Sequence, residues 1–486
     1  MKSKNKLISF QSIKLKNLGL FTACALMLSQ VGMYQTGANH LIVRLALTDY
    51  PTQMKQIHQM DMDIAGVNLN DHTVDLVVNE QQSQQLQILG FHFVQMKSRN
   101  SLASPDREYQ TPAKIEALLK DYAAKYPNLA EVHSVGKSLE GNDIWVIRIT
   151  GDIAHPNPAK PHIFFNGMHH AREVMSVEVP LDTINTLLTQ YGQDAKVTHW
   201  VDANEIWILP MFNVDGNQKV WKSDSMWRKN TRGNYGVDIN RNYPYAWNSC
   251  NGSSSSHSAQ DYHGDSAASE PETKVMMNLV KTIRPVFSIS YHSYSEIVIY
   301  PYGCEGQHTP TKEVVEGIGT EMASKIVTDD GSGHYTAGTA PELLYSVDGG
   351  DIDWMYHEYQ DIPYVIEVNS TNQGFQPSYR EWRDQTVSRV KPAWEFLLDR
   401  LDGSSIFGQI KNAQGLGVAN AQVHIERTSG GNAFVQDYPA HDDGTFDVIL
   451  PEGTYNVTFN ASGLGTKSTQ VTVAGQRVEV PVSLIE

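Results

Sequence analysis

Between residues 109 and 398, segments with helical periodicity alternate with short apolar segments, and this alternation limits the folds that the chain can adopt. Residues 115–126 have helical spacing and end before Pro127. The strand candidates are residues 144–149, 163–165, 206–209, 286–290 and 364–368. This pattern predicts an α/β fold with a mixed, largely parallel sheet that has helices on both faces. Ligands on such sheets bind at strand ends, so polar residues there are the candidates for function.

One such strand end carries a pair of potential metal ligands. His170 and Glu173 stand three residues apart, shortly after the apolar run 163–165. Imidazole nitrogen and carboxylate oxygen both bind zinc, and a catalytic zinc takes three protein ligands and keeps one position for water. Alone, the His-x-x-Glu pair is weak evidence, because two polar surface residues at a strand end give the same pattern. His169 is an alternative ligand.

Six further motifs follow the His-x-x-Glu pair. They are PMFNVDG at 210–216, WRK at 227–229, VDINRN at 237–242, YHSYS at 291–295, GGDIDW at 349–354 and VIE at 365–367. In this order and at these spacings, the set resembles the zinc metallocarboxypeptidases of the pancreatic A/B type. The resemblance covers roughly residues 109–398.

The resemblance implies the catalytic roles. His292, 119 positions after Glu173, becomes the third ligand of one Zn²⁺, and His170 is preferred over His169. Glu367 becomes the general base that takes a proton from water. Arg228 becomes the cation that stabilises negative charge on the attacked carbonyl. The alternatives are a buried structural ion pair for Glu367 and a solvated basic pair for Arg228.

The resemblance also implies how a substrate is bound. Asn240 and Arg241 would hold the terminal carboxylate and Tyr345 would cover it, while Arg172 lines outer subsites. Ser293 and Tyr294, directly after His292, are further expected substrate contacts.

The implied pocket for the terminal side chain is apolar or small throughout. Its residues are Ile299, Gly303, Leu344, Val347, Ile352 and Val365. An enzyme for Lys or Arg ends needs an acidic residue where Ile352 stands, because a buried cation needs a partner. We therefore expect apolar or aromatic C-terminal residues to be preferred. Asp351 and Asp353 adjoin this position and leave the expectation open.

The N-terminal part predicts an exported protein. Residues 1–33 carry five lysines ahead of an apolar run at 18–28 and no acidic residue, as in a bacterial-type signal peptide. A membrane anchor, which needs about 20 apolar residues, and lipidation at Cys24 are the alternatives.

Residues 41–97 form a small α/β module where the family carries an inhibitory pro-segment; the alternative is a permanent accessory domain. The polar linker 98–108 suits proteolytic nicking.

After residue 403 the pattern changes to regular short strands separated by turns. This predicts an all-β sandwich over residues 404–486, which resembles the transthyretin-like domain that follows some carboxypeptidases. We interpret it as a stabilising or docking module.

The chain without the signal peptide contains two cysteines, Cys250 and Cys304. They form either a disulfide in an oxidising compartment or two buried thiols.

These observations predict an exported metallocarboxypeptidase whose catalytic domain spans residues 109–400. It would be secreted or periplasmic and monomeric, and it would act on peptide or protein C-termini. The net charge of −16 argues against nucleic acid and anionic membranes as partners. The alternative functions are a cell-wall peptide or amide hydrolase on the same scaffold, and a catalytically silent peptide-binding protein.

Overall fold

The computed structural model describes residues 41–96 and 104–484. The predicted signal peptide and the first part of the predicted linker lie outside the described residues. Within the described ranges, no helix is both long and apolar enough to cross a membrane.

The first described unit is a four-stranded antiparallel sheet with two helices. Its order is β2-β3-β1-β4, so β2 is an edge strand. The strands are β1 (Leu41–Ala46), β2 (Asp63–Asn68), β3 (Thr73–Val78) and β4 (Phe93–Gln95), and the helices are α1 (Tyr50–His58) and α2 (Glu80–Ile88). The pattern in the sequence located every element except β2. Asp, Gly and Asn are depleted in strands, so its sequence DIAGVN carries little strand signal.

A mixed sheet forms the centre of the protein, as predicted, and it has eight strands, of which the sequence located five. Its order is β11-β10-β12-β9-β7-β8-β6-β5. The strands are β5 (Ala130–Lys137), β6 (Asp143–Ile149), β7 (His162–Gly167), β8 (Glu205–Leu209), β9 (Phe287–Ser293), β10 (Ile297–Ile299), β11 (Thr336–Gly338) and β12 (Ile362–Val368). The neighbours β12, β9, β7 and β8 run parallel, so their carboxyl ends lie at one edge of the sheet.

Helices and loops cover this sheet. Every residue of β9 is buried, which requires cover on both faces. The helices are α3 (Pro112–Lys125), α4 (Glu178–Gln190), α5 (Ala195–Ala203), α6 (Val214–Lys222), α7 (Pro271–Ile283), α8 (Lys312–Ala323), α9 (Ala340–Leu343), α10 (Asp351–Tyr359) and α11 (Tyr379–Leu401).

The C-terminal unit is all-β, as predicted. One sheet has the order β16-β13-β19 with β20 also paired to β13, and the other has the order β15-β14-β17-β18. The strands are β13 (Ser405–Lys411), β14 (Gln422–Ser429), β15 (Val435–Pro439), β16 (Thr445–Ile449), β17 (Gly453–Asn460), β18 (Lys467–Val473), β19 (Arg477–Glu479) and β20 (Val482–Ser483). Arg427 of β14 forms an ion pair with Glu313 of α8, with an Nη1–Oε2 distance of 3.1 Å. This contact ties the unit to the central domain.

Candidate functional site

Three potential metal ligands converge at the carboxyl edge of the central sheet. His170 and Glu173 lie in the turn after β7, and His292 lies in the adjacent strand β9. Glu173 Oε1 lies 2.7 Å from His170 Nδ1, Glu173 Oε2 lies 3.1 Å from His292 Nδ1, and the two Nδ1 atoms are 3.1 Å apart. All three side chains are buried. The sequence placed two of these residues together locally, and the sheet brings in the third.

The Nε2 atoms of His170 and His292, which are the ring nitrogens outside the ligand cluster, lie near oxygen atoms. His170 Nε2 lies 3.3 Å from Asp238 Oδ1, without hydrogen-bond geometry, and His292 Nε2 lies 3.3 Å from Ser290 Oγ. Oxygen acceptors on the outer nitrogen favour a proton there, and this leaves the inner Nδ1 lone pair free for a metal.

Glu173 attracts positive charge to the cluster: burial opposes protonation of His292, but the facing Glu173 outweighs it and raises the pKa of His292. Burial, followed by the charge of Arg228, lowers the pKa of His170. Burial opposes ionisation of Glu173, but the two facing histidines more than offset it and lower its pKa. Two inward-facing imidazole nitrogens and one carboxylate oxygen are the donor set that zinc takes. The residues present therefore fit a zinc ion.

His169, the alternative ligand, faces another environment. Its Nε2 lies 3.1 Å from the hydroxyl of Tyr243 and its Nδ1 lies 3.3 Å from Ser290 Oγ. Burial lowers the pKa of His169 to about 4, so the ring is neutral. Among the described residues, the set of converging donors contains His170 and not His169.

Glu367 stands beside the ligand cluster because of sheet register. In the parallel pairing of β12 with β9, Glu367 lies opposite His292. Its Oε2 atom is buried without a hydrogen-bond partner in the described part of the chain. The residue lines a cavity that His170, Glu173 and His292 also line. Burial raises the pKa of Glu367 to about 7, although the neighbouring His292 opposes the rise. A carboxylate with such a pKa is suited to accept and return a proton near neutral pH.

Arg228 is held in the site by a residue that the sequence analysis did not assign. Its Nη2 and Nε atoms lie 2.7 and 3.1 Å from Asp238 Oδ2, and its Nη1 lies 3.8 Å from Glu173 Oε1. Asp238 therefore orients Arg228 and places a negative charge beside His170. The only signal in the sequence was that Asp238 lies within the VDINRN motif.

Asn240 and Arg241 line the same cavity. Asn240 Oδ1 accepts a hydrogen bond from the backbone N–H of Asp351 at 3.0 Å, and Arg241 Nη1 donates to the Asn240 carbonyl at 2.8 Å. Arg241 is 3% exposed, and its Nε has no hydrogen-bond partner among the described residues. A buried guanidinium with free donors provides a binding group for a carboxylate.

The resemblance implies six residues for the pocket of the terminal side chain, and all six line this cavity, which has a volume of about 70 Å³. Ile299, Ile352 and Val365 also belong to one apolar cluster. The two neighbouring acids, Asp351 and Asp353, line the same cavity; one oxygen of each accepts from a backbone group, and the other has no hydrogen-bond partner among the described residues. Asp351 Oδ1 accepts from the N–H of Ile352 at 2.8 Å, and Asp353 Oδ2 accepts from the N–H of Gly303 at 2.8 Å.

The N-terminal module covers the site and binds several predicted substrate contacts. Both terminal nitrogens of Arg172 lie 2.7 Å from the carboxylate of Asp63 on the edge strand β2. The hydroxyl of Tyr294 donates to Asp75 at 3.2 Å, and the ring of Tyr345 stacks on His58 at 4.8 Å. Residues 64–66 contribute to the cavity wall. These module contacts could not be recognised in the sequence, because no motif marks them.

Ser293 and the two cysteines complete the predicted set. The backbone N–H of Ser293 donates to Glu173 Oε2 at 3.3 Å, which supports the ligand, and its hydroxyl has no partner among the described residues. Cys250 and Cys304 form a disulfide with their Cα atoms 5.9 Å apart.

Comparison with known proteins agrees with this geometry. The family model described as zinc carboxypeptidase matches residues 115–394, and the carboxypeptidase regulatory-like domain matches residues 405–484. The chain is 29% identical to zinc carboxypeptidase A 1 of Anopheles gambiae over 60% of this chain and 66% of that protein. It is 26% identical to carboxypeptidase B of Bos taurus over 60% of this chain and 72% of that protein. The matches thus span about two thirds of these relatives.

Solved structures share the fold. Carboxypeptidase A from Helicoverpa armigera aligns with a TM-score of 0.64 and 22% identity, over 75% of this chain and 97% of that one. Thrombin activatable fibrinolysis inhibitor aligns with a TM-score of 0.62 and 22% identity, over 74% of this chain and 98% of that one.

Proposed function

The chain belongs to the zinc carboxypeptidase family, and from this membership we propose that it removes C-terminal residues from peptides and proteins by hydrolysis. The observation that carries the proposal is the convergence of His170, Glu173 and His292 in a cavity that also contains Glu367 and Arg241. A metal cluster, a proton acceptor and a carboxylate-binding cation in one cavity are the groups that such an exopeptidase needs.

Each side chain has a separate task in this proposal. His170, Glu173 and His292 would hold the zinc, which when bound supplies a Lewis acid and lowers the pKa of a water molecule. Glu367 takes the proton of the attacking water and returns it to the leaving amine. Arg228, fixed by Asp238, offers N–H donors to the carbonyl oxygen as its negative charge grows.

The remaining groups orient the substrate. Arg241 binds the two oxygens of the terminal carboxylate, and Tyr345 closes over the bound end. Ile352 contacts the terminal side chain together with Ile299 and Val365. These apolar side chains support a preference for apolar or aromatic C-terminal residues, since they offer no partner to a charged group, whereas contact of the substrate with Asp351 or Asp353, which also line the cavity, would favour a basic residue.

We further propose that the protein is exported and that residues 41–97 act as an inhibitory pro-segment, removed after cleavage within residues 98–108. The pairing of Asp63 with Arg172 and of Asp75 with Tyr294 supports the inhibitory role. Substrate cannot contact Arg172 and Tyr294 while the module occupies them.

The test uses blocked dipeptides ending in Phe, Leu, Lys and Glu. Rates are measured on the purified full chain before and after limited proteolysis, with and without a chelator, together with the zinc content. We expect cleavage of the Phe and Leu substrates after proteolysis, with loss of activity on chelation and recovery on addition of zinc.

Variants connect this activity to the proposed ligands. His292→Ala should lose zinc and activity together, because two ligands bind the ion weakly. The matched control is His199→Ala, which changes a histidine that is 57% exposed. A His292→Ala protein with stoichiometric zinc and full activity would contradict the ligand assignment. Activity that resists chelation would contradict the function.

A further inference from the structure

A loop behind the terminal side-chain pocket is attached to the pocket in two ways. We call residues 249–253 the back loop and residues 344–350 the wall segment, which includes the pocket residues Leu344 and Val347. The first attachment is the disulfide from Cys250 in the back loop to Cys304. Cys304 follows Gly303, which itself lines the pocket. The disulfide therefore joins the back loop to the residue that follows the pocket residue Gly303.

The second attachment is the carboxylate of Asp348 in the wall segment. Its Oδ2 atom accepts hydrogen bonds from the backbone N–H groups of Ser249 and Cys250 at 3.1 Å and of Gly252 at 3.0 Å. Its Oδ1 atom accepts from the hydroxyl of Ser253. Asp348 is 1% exposed, so water does not replace these partners. A buried carboxylate with several backbone donors holds those donors more strongly than a neutral acceptor does.

The wall segment and Gly303 fit closely. The N–H of Val347 donates to the Gly303 carbonyl at 2.8 Å. A Cβ atom added at Gly303 would lie 2.5 Å from the Val347 carbonyl oxygen, well inside contact distance. A Cβ atom added at Gly252 of the back loop would lie 2.5 Å from the Val347 carbonyl carbon, so the back loop packs directly on the wall segment and a shift of the loop moves Val347 and, through it, Gly303.

The position of the back loop also matters for Tyr345. The carbonyl of Asn251 in the back loop lies 2.8 Å from Nε2 of His58, and the His58 ring stacks on Tyr345. The other end of the wall segment is held by Gly349, whose carbonyl accepts from the N–H of Tyr243 at 2.9 Å. The contact through His58 exists only in the unproteolysed chain, so after removal of residues 41–97 the segment between Tyr345 and Gly349 is held to the back loop by Asp348.

We propose that Asp348 and the disulfide Cys250–Cys304 are positioning elements for specificity, which act through the back loop to hold Val347 and Gly303 against the terminal side chain of the substrate. The inference rests on the proposed function. Its consequence is selective: a displaced wall weakens contact with a large C-terminal side chain and leaves the cleavage of small ones nearly unchanged. Reduction of the disulfide has the same effect as loss of Asp348.

The experiment compares blocked dipeptides ending in Phe and Ala. The variants are Asp348→Ala, Asp348→Asn and the double variant Cys250→Ser/Cys304→Ser, each expressed as the full chain and activated by limited proteolysis. We expect the ratio of kcat/KM for Phe over Ala to fall about ten-fold in Asp348→Ala and in the double variant, mainly through KM, because pocket contacts of a few methylene groups discriminate by such factors. Asp348→Asn keeps an acceptor and should lie between Asp348→Ala and wild type.

Two measurements separate positioning from general damage. Zinc content should stay stoichiometric in all variants. Hydrogen exchange of the wall segment should increase in the unproteolysed variants and in reduced wild type, and reoxidation should reverse it. The matched control is Asp384→Asn, which changes an acid whose side chain is 92% exposed on α11.

The outcomes distinguish the two proposals. Wild type with no activity on either substrate contradicts the proposed carboxypeptidase function. Active wild type whose Phe-to-Ala ratio is unchanged in Asp348→Ala, with unchanged exchange in the wall segment, overturns the positioning role. Equal loss on both substrates with loss of zinc overturns it as well, because that result indicates a general structural effect.

Discussion

Replacement of Asp63 by Asn should turn the intact chain from a latent into an active protein. Asp63 of the N-terminal module accepts two hydrogen bonds of 2.7 Å from Arg172, which is 1% exposed. The amide of Asn carries no charge and can accept at only one of its two positions. The variant therefore leaves the Arg172 charge buried without its counter-charge as long as the module stays docked.

The magnitude follows from this geometry. Removal of one partner from a buried ion pair costs about 3–5 kcal/mol, since the remaining charge stays out of water. Undocking rehydrates Arg172 and relieves that cost, so the docking equilibrium should weaken by roughly 100- to 4000-fold at about 1.4 kcal/mol per factor of ten. Other contacts, including Asp75 with Tyr294, remain and limit the gain.

The assay is hydrolysis of a blocked Phe-ended dipeptide by the unproteolysed chain, expressed as a fraction of the rate after proteolysis. We expect this fraction to rise in Asp63→Asn by up to the same factor, to a ceiling of one. Asp71→Asn, which changes an exposed acid of the same module that bonds to Asn68, is the control. A latent fraction equal to wild type in Asp63→Asn, with normal activity after proteolysis, would refute the role of the ion pair.

Three further predictions concern catalysis, specificity and stability. Glu367→Gln should keep its zinc and lower kcat by about 10²–10⁴-fold, because the amide cannot accept a proton; loss of metal in this variant would make Glu367 structural instead. Ile352→Asp should raise kcat/KM for Arg-ended relative to Phe-ended peptides, and a wild-type preference for Arg would refute the apolar pocket. Burial raises the pKa of Asp361 to about 8. Between its ordinary pKa and about 8 the folded state holds a proton that the unfolded chain has lost, so this residue makes the free energy of unfolding fall as pH rises through that window. Urea unfolding should show Asp361→Asn to gain stability relative to wild type from pH 5 to pH 8, and a constant difference would refute the shift.

Much of the fold could be predicted from local patterns. Alternating helical and apolar segments predicted the mixed central sheet, and regular short strands predicted the C-terminal all-β unit. Burial of one face of a helix or strand spaces its apolar residues at the period of that element, and this spacing can be recognised in the sequence. Strand β2 was missed, since its residues have weak strand preference and its extended form depends on pairing with β3. The proximity of His170 to Glu173 is likewise local, as both lie in one turn after β7.

The remaining features of the site depend on tertiary structure. His292 and Glu367 meet the first two ligands only because β7, β9 and β12 are neighbours in a parallel sheet, and strand order is not encoded in the period of any single strand. Family resemblance supplied that pairing where the residues alone could not. The contacts of Asp63 with Arg172, and of Asp348 with the back loop, join residues about 100 positions apart. No local pattern marks such partners, because a buried charge is satisfied by whichever group the folded chain brings to it.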